Sequence, residues 1–166
     1  MIKSPKPAFE KIEPGFGSSF SYRTYDENHE NNSHNFWHYH PELELVYVKG
    51  GTGKRQVGSH ISYYRNGELI LIGSNLPHCG FTDSLNNYER ETVIQMRPDF
   101  LGESFFNIPE MRSIKALFER AKMGIVFHGE LKRIIGSKIE TLKSLSNYER
   151  LLGLLDILKQ LESAEK

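Results

Sequence analysis

Residues 36–50 read FWHYHPELELVYVKG, and the prediction of the fold starts from this segment. It is rich in aromatic and β-branched residues and runs into paired glycines, as a strand entering a turn does. Side chains alternate faces along a strand, so His38, His40 and Glu44 would point to one side. Imidazole and carboxylate groups that face the interior predict a metal or polar ligand there. The alternative is a cluster in which these groups hydrogen-bond one another.

The other residues of this segment divide between the two faces. Leu43 and Tyr47 have the opposite parity, so they would pack away from the histidines. Glu42 shares the parity of Glu44 but follows Pro41, and a bulge there could turn it toward solvent. We therefore give Glu42 less weight than Glu44 as a site residue.

Short strand-like segments separated by turn signals occur on both sides of residues 36–50. They cover residues 16–25, 54–57, 61–64, 69–72 and 89–97. Adjacent glycines at positions 50 and 51 and the Asn66-Gly67 pair are typical of hairpin turns. Short strands at such close intervals predict a mainly β fold, an antiparallel β-barrel or jelly roll.

The composition changes after Pro98, where glycines become rarer and helix-forming residues take over. Apolar residues then recur at helical spacing in about three segments. Pro109 would open the first, and Ser146 or Asn147 would cap the last. Almost no loop separates the second from the third, which predicts a C-terminal helical hairpin. We expect a barrel domain over residues 1–98 and a helical region over residues 99–166.

The overall composition limits the class of function. The chain has 166 residues, 38% of them hydrophobic, which is enough for a buried core. Lys plus Arg and Asp plus Glu both number 21, so a neutral chain gives no support to nucleic acid or an anionic membrane as its direct partner. A single cysteine and the lack of a membrane-spanning apolar segment predict a cytoplasmic protein.

Four residues form a candidate metal site. His38, His40 and Glu44 would share one face of a strand, and His78 follows a turn at Pro77 from which it could approach across the barrel. Histidine and carboxylate ligands of this kind suit Zn, Fe, Mn or Ni without choosing between them. A polar cluster that holds the strands in register without metal is the alternative.

Two segments resemble the motifs of the cupin superfamily. Residues 38–50 fit the pattern H-x-H-x3-E-x5-G, and residues 67–78 read GELILIGSNLPH. The resemblance implies that the two histidines and the glutamate of the first motif, with His78 of the second, are metal ligands. The second motif departs from the cupin pattern at Gly73 and Asn75, where that pattern has Pro and Gly.

A closer resemblance covers nearly the whole chain. Residues 37–48 (WHYHPELELVYV), 72–79 (IGSNLPHC) and 121–129 (AKMGIVFHG) resemble the N-terminal half of AraC-type transcription regulators, and residues 148–158 (YERLLGLLDIL) fit the helical segment of that family. The resemblance implies a cupin-like effector-binding domain followed by a helical dimerisation or linker region. Helix-turn-helix domains that bind DNA sequence-specifically are then expected beyond residue 166.

The function that this resemblance implies is sensing by a homodimeric regulator. A small-molecule effector, such as a sugar or related metabolite, would bind in the barrel, and DNA would be contacted only through the domain beyond this chain. The candidate ligand contacts are His38, His40, Glu44, His78, Trp37 and Tyr47. For the two aromatic residues, plain core packing is the favoured alternative.

A metal-dependent cupin enzyme of the dioxygenase or isomerase type is the second interpretation. It would use the same four residues to hold an open-sited metal. The sequence contains no separate acid, base or nucleophile that can be identified, so we assign no catalytic residue. The helical region after Pro98 also favours the sensor, because a stand-alone cupin enzyme would not need it.

Overall fold

A computed structural model describes residues 5–31, 36–83 and 85–164. Within these ranges the strands are β1 (Ala8–Phe9), β2 (Ser21–Tyr25), β3 (His38–Tyr39), β4 (Leu43–Lys49), β5 (Thr52–Val57), β6 (His60–Arg65), β7 (Glu68–Ile72), β8 (Arg90–Met96) and β9 (Ile125–Val126). The α-helices are α1 (Arg112–Arg120), α2 (Gly129–Thr141) and α3 (Asn147–Glu162). Short 3-10 turns cover Phe105–Asn107, Pro109–Met111, Ala121–Met123 and Leu142–Ser144.

The strands form two layers. The larger sheet has the order β2-β8-β4-β7-β9, and every neighbouring pair in it is antiparallel. The second layer contains the antiparallel pair β5-β6 and the parallel pair β1-β3, which isolated bridges through His78 connect. The predicted mainly β fold with three following helices is therefore confirmed. Among the described residues the strands form one five-stranded sheet and two two-stranded sheets, and they do not close into one barrel.

The central strand β4 separates two hydrophobic cores. Leu43 and Leu45 face the helices, where they pack with apolar residues of α1, α2 and α3. Val46 and Val48 face the other way and pack with residues of the second layer, including Tyr64. This alternation follows directly from the period of two along a strand. It also assigns the inner face of β4 to the even-numbered positions, Glu44 among them.

The two last helices form the predicted hairpin. Ser146 caps α3, because its hydroxyl accepts a hydrogen bond from the Glu149 amide at 3.2 Å while the Glu149 carboxylate accepts one from the Ser146 amide at 3.1 Å. Arg150 donates to the carbonyl oxygens of Leu142 and Lys143 and so occupies the C-terminal end of α2. No helix in the described parts of the chain is both long and apolar enough to span a membrane.

Two very short strands were not predicted. In the N-terminal arm, residues 5–15, Ala8–Phe9 form β1 beside β3. Between α1 and α2, Ile125–Val126 form β9 and pair with β7 at the edge of the larger sheet. The helical region is therefore hydrogen-bonded to the sheet. A boundary at residue 98 stays a prediction.

Two buried carboxylates lie on the inner faces of the sheets besides Glu44. Glu68 pairs with Arg55, whose Nε lies 2.5 Å from the carboxylate. Glu91 is fully buried and accepts hydrogen bonds from Asn31 at 2.5 Å and Thr82 at 3.0 Å, but no cation among the described residues pairs with it. Burial therefore raises the pKa of Glu91 to about 7, and these two hydrogen bonds only partly oppose the shift.

We expect Glu91→Gln to stabilise the protein in a pH-dependent way. Below the usual carboxyl pKa of 4.5, Glu91 is protonated in the folded and unfolded states alike, so the variant should gain nothing. Between pH 4.5 and about 7 the unfolded chain ionises first, and the wild type loses stability. Above pH 7 the gain should level off at a value on the order of 3 kcal/mol. Thr82 can accept a hydrogen bond from the new amide.

Urea unfolding of both proteins over this pH range measures the difference. Glu89→Gln is the matched control, because Glu89 is an exposed neighbour that pairs with Lys49. A difference between the Glu91 variant and the wild type that does not change with pH would contradict the expectation.

Candidate functional site

The site lies where the predicted strand of residues 36–50 is interrupted. β3 ends at Tyr39 and β4 begins at Leu43, so the intervening residues bend the chain around Pro41. The loop after β7 holds this bend, because the Ser74 hydroxyl donates to the Pro41 carbonyl at 2.6 Å and the Asn75 amide donates to the His40 carbonyl at 2.8 Å. Asn75 takes a left-handed conformation with φ 59°, which explains how it can stand where the cupin pattern has glycine.

The four predicted ligand residues meet at this bend. His38 and His78 exchange both backbone hydrogen bonds, at 3.0 and 2.9 Å, which sets their side chains next to each other. One donor atom from each of His38, His40, Glu44 and His78 lies within 4.8 Å of the others, and all four residues are buried. Since they come from β3, the bend, β4 and a loop, the cluster depends on the fold as a whole.

Each imidazole has its Nδ1 atom against a backbone carbonyl. The acceptors are the carbonyl oxygens of Phe36 for His38 (2.6 Å), Glu42 for His40 (3.1 Å) and Leu76 for His78 (2.9 Å). A carbonyl oxygen can only accept, so the ring proton of each neutral imidazole lies on Nδ1. The three Nε2 atoms then present lone pairs toward the common centre, as metal-binding histidines do.

Glu44 is the hub of the cluster. Its Oε2 atom lies 2.9 Å from His40 Nε2 and 3.4 Å from His78 Nε2. Gln95, its partner across the β4–β8 ladder, donates to the same oxygen at 2.9 Å. Burial alone would raise the pKa of Glu44, but the adjacent imidazoles outweigh it and hold that pKa well below its usual range.

The imidazoles differ in how readily they take a proton. Burial and the proximity of His78 lower the pKa of His38. Burial would also lower the pKa of His40, but the hydrogen bond and charge of Glu44 outweigh this effect and raise it. Without a metal, the cluster therefore favours a proton shared between His40 and Glu44.

The donor set also fits a divalent transition metal. His78 Nε2 is buried and has no hydrogen-bond partner among the described residues. A buried polar atom without a partner is costly, and this one faces a carboxylate oxygen that also carries lone pairs. Nitrogen and oxygen donors arranged around one point could hold a cation, and the four atoms are of the types that Zn, Fe, Mn and Ni bind.

A cavity of about 490 Å³ opens beside the cluster. Residues of the N-terminal arm, β2, the following loop, β3, β4 and β8 line it, namely Glu10, Ile12, Arg23, Tyr25, Glu30, Asn31, Phe36, His38, Glu44, Val93 and Gln95. The lining combines acids, amides, one guanidinium and two aromatic rings. Phe36 stacks on His38 with a ring-centroid distance of 5.2 Å and an interplanar angle of 10°.

Three residues of the predicted segment lie elsewhere. Tyr47, a candidate ligand contact, faces α2, where a Cβ atom added at Gly136 would come within 2.3 Å of its ring. Trp37 is half-buried and does not line the cavity. Glu42 could have turned to solvent, but it is buried beside a second cavity. Its Oε2 atom lies 3.7 Å from His40 Nδ1 and has no hydrogen-bond partner among the described residues.

Sequence reasoning missed most of the cavity wall. Gln95 carried a usable signal, because the alternation of β8 places it on the same face as Val93. Arg23 and Tyr25 also alternate along β2, but that strand has too few apolar residues to reveal its inner face. Glu10 carried no signal, since a two-residue strand has no period to detect.

Comparison with known proteins identifies the family. The family model for the AraC-like ligand binding domain matches residues 20–156. Among solved structures, apo ToxT from Vibrio cholerae strain SCE256, a point variant, is similar, with 11% sequence identity and a TM-score of 0.46 over 85% of this chain and 54% of that one. This chain thus spans about half the length of ToxT, and no curated protein matches it. The chain belongs to the AraC-like ligand binding domain family.

Proposed function

We propose that this chain is the sensor of a transcription regulator and binds a small, hydroxyl-rich effector such as a sugar. The observation that carries the proposal is the polar cavity of about 490 Å³ in a domain of a ligand-binding family. Contact with DNA would come only through domains outside this chain. The effector would favour one arrangement of sheets and helices and thereby shift the population of DNA-binding states.

The chemistry of the cavity wall supports this class of effector. Gln95 and Asn31 carry amide groups that can both donate and accept, and Arg23 adds a fork of donors. Vicinal hydroxyl groups match such paired donors and acceptors. The rings of Tyr25 and Phe36 offer flat apolar surface for the C–H face of a sugar ring.

We further propose that His38, His40, Glu44 and His78 hold a divalent transition metal. The orientation of the three Nε2 atoms and the unpartnered His78 Nε2 support this assignment. The metal would supply positive charge and an electrophilic position next to the effector. Two residues of the chain would position the ligands of this metal. Phe36 stacks on the ring of His38, and Gln95 orients the Glu44 carboxylate with a hydrogen bond.

The family supports sensing over the metal-dependent enzyme. The matching model describes a ligand binding domain, and it extends to residue 156 in α3. A cupin enzyme would place a substrate on the same metal, whereas the matching family model describes ligand binding. We therefore assign no catalytic residue.

A route from the cavity to the helices is built into β2. Arg23 and Tyr25 of this strand line the cavity. Tyr22, the residue before Arg23, has the opposite parity and packs on the helix-facing core. The Tyr22 hydroxyl donates to the Ile139 carbonyl of α2 at 2.8 Å, and the Arg150 guanidinium lies 4.8 Å from the centre of the Tyr22 ring. A displacement of β2 by the effector would therefore reach the turn between α2 and α3.

The helical hairpin supports a homodimer. Tyr148 and Leu152 lie one turn apart on α3 with 71% and 47% of their surface exposed, and Ile134 of α2 is 36% exposed. An apolar groove of about 450 Å³ runs between the same two helices. A second copy of this face would cover these apolar groups.

Effector binding can be tested by screening sugars, sugar acids and polyols against the metal-loaded protein. A compound that binds should raise the melting temperature in proportion to its concentration. Arg23→Ala and Gln95→Ala should each weaken binding by about tenfold, the scale of one lost hydrogen bond to a charged or oriented group. Lys54→Ala, a change of an exposed strand residue, is the control. If all three variants bind the compound as tightly as the wild type, the effector does not bind in this cavity.

Metal binding can be tested on protein purified without chelators. Elemental analysis should find about one equivalent of a transition metal in the wild type and none in His40→Ala or His78→Ala. His60→Ala should retain the metal, because His60 is exposed at the start of β6. If the wild type folds normally without metal and takes up no added Zn, Fe, Mn or Ni, the metal site is wrong and the four residues form a polar cluster.

Dimerisation can be tested by placing a charge on the exposed face of α3. Leu152→Glu should shift the protein to a monomer in sedimentation velocity, because a carboxylate would be buried without a partner. Met123→Glu introduces the same charge at another exposed apolar residue and should leave the dimer intact. A monomeric wild type, or a dimeric Leu152 variant, would rule out this interface.

A further inference from the structure

The N-terminal strand brings a fifth acidic or imidazole side chain to the cluster. β1 pairs in parallel with β3, with the Ala8 amide donating to the Trp37 carbonyl and the Glu10 amide donating to the Tyr39 carbonyl, both at 3.0 Å. These bonds fix the backbone of Glu10 beside the strand that carries His38. The position of Glu10 is therefore set by backbone hydrogen bonds and not by the contacts of its side chain.

The contact between Glu10 and His38 joins two acceptors. The Oε2 atom of Glu10 lies 3.3 Å from His38 Nε2. Since Nδ1 of the neutral His38 ring carries its proton toward the Phe36 carbonyl, Nε2 presents a lone pair. Two lone pairs at this distance need a proton or a cation between them. His78 Nε2 likewise faces a carboxylate oxygen, that of Glu44 at 3.4 Å, without a hydrogen bond.

Glu10 is more exposed than the four residues of the cluster, and it lines the cavity beside them. The donors His38, His40, Glu44 and His78 are buried, whereas 31% of the Glu10 side chain is exposed. Glu10 lines the cavity together with His38 and Glu44. Its carboxylate lies outside the group of four whose donor atoms are all within 4.8 Å of one another, so among these donors its close contact is with His38.

We propose that Glu10 is a fifth ligand of the metal, which makes the donor set three histidines and two carboxylates. This inference rests on the metal site proposed above. It carries two chemical consequences. A second carboxylate oxygen shifts the preference of the site from Zn²⁺ toward Mn²⁺ or Fe²⁺, which accept oxygen ligands more readily. It also ties the two-residue strand β1 to the metal, so metal binding should order the N-terminal arm.

Titration of the whole chain with Co²⁺ after dialysis against a chelator tests the proposal. Glu10→Gln should weaken Co²⁺ binding by at least about tenfold, the scale found even for partners that only support a ligand. It should also change the visible absorption bands of bound Co²⁺, because an oxygen ligand is lost. Glu13→Gln is the matched control on the same arm, since Glu13 is exposed and pairs only with Lys11 among the described residues. It should match the wild type.

Hydrogen exchange, measured on the wild type and on Glu10→Gln, gives a second test. Co²⁺ should slow exchange of the Glu10 amide, which donates to Tyr39, as well as amides of β4. In Glu10→Gln the protection of β4 should remain while that of the arm is lost. This pattern separates a ligand from a residue that merely supports folding, because a folding defect would affect both regions.

The outcomes distinguish this inference from the proposal on which it rests. If the wild type binds Co²⁺ and Glu10→Gln has the same affinity, spectrum and arm protection, Glu10 is not a ligand and the four-residue site stands. If the wild type binds no Co²⁺, the metal site itself is wrong and the fifth ligand is wrong with it. Loss of affinity, an altered spectrum and loss of arm protection together support Glu10 as the fifth ligand.

Discussion

The buried carboxylate of Glu44 is the constraint on which the rest of the structure depends. A charged group on the inner face of a central strand is tolerated only where partners surround it. The fold meets this requirement with three elements at once: the bend at Pro41 supplies His40, the loop after β7 supplies His78, and β8 supplies Gln95. The break between β3 and β4 is thus part of the site, because a straight strand would carry His40 away from Glu44.

The candidate donor set could be predicted because it follows local rules. His38, His40 and Glu44 occupy alternate positions of one segment, and their side chains still meet although the chain bends between β3 and β4. His78 follows a turn that is part of the second cupin-like motif. The cavity wall could not be predicted in the same way. Arg23 and Gln95 come from strands about seventy residues apart, and only the β2–β8 pairing brings them together. Tyr47 was included among the candidate ligand contacts although its parity in the strand already placed it on the face away from Glu44.

The fold was predictable where elements were long and periodic. The three helices and the longer strands have enough residues to show a period, whereas β1 and β9 have two residues each. These two short strands nevertheless determine how the regions join. β1 places the arm beside the cluster, and β9 makes the segment between α1 and α2 an edge of the larger sheet. Two sets of hydrogen bonds therefore join the larger sheet to the helical region, namely the β7–β9 pairing and the bond from the Tyr22 hydroxyl to α2.

The imidazole orientations have a consequence for how such a domain can diversify. Each ring is held by a carbonyl only two residues away in sequence, so the donor geometry is set within short local segments. Selectivity for the small molecule, by contrast, would be determined by side chains on β2, β8 and the arm. The cavity wall could therefore be redesigned while the local carbonyl contacts keep the three imidazoles in place. The domain thus separates a locally determined cluster from a wall assembled from distant segments, and only the wall would have to change for a different ligand to fit.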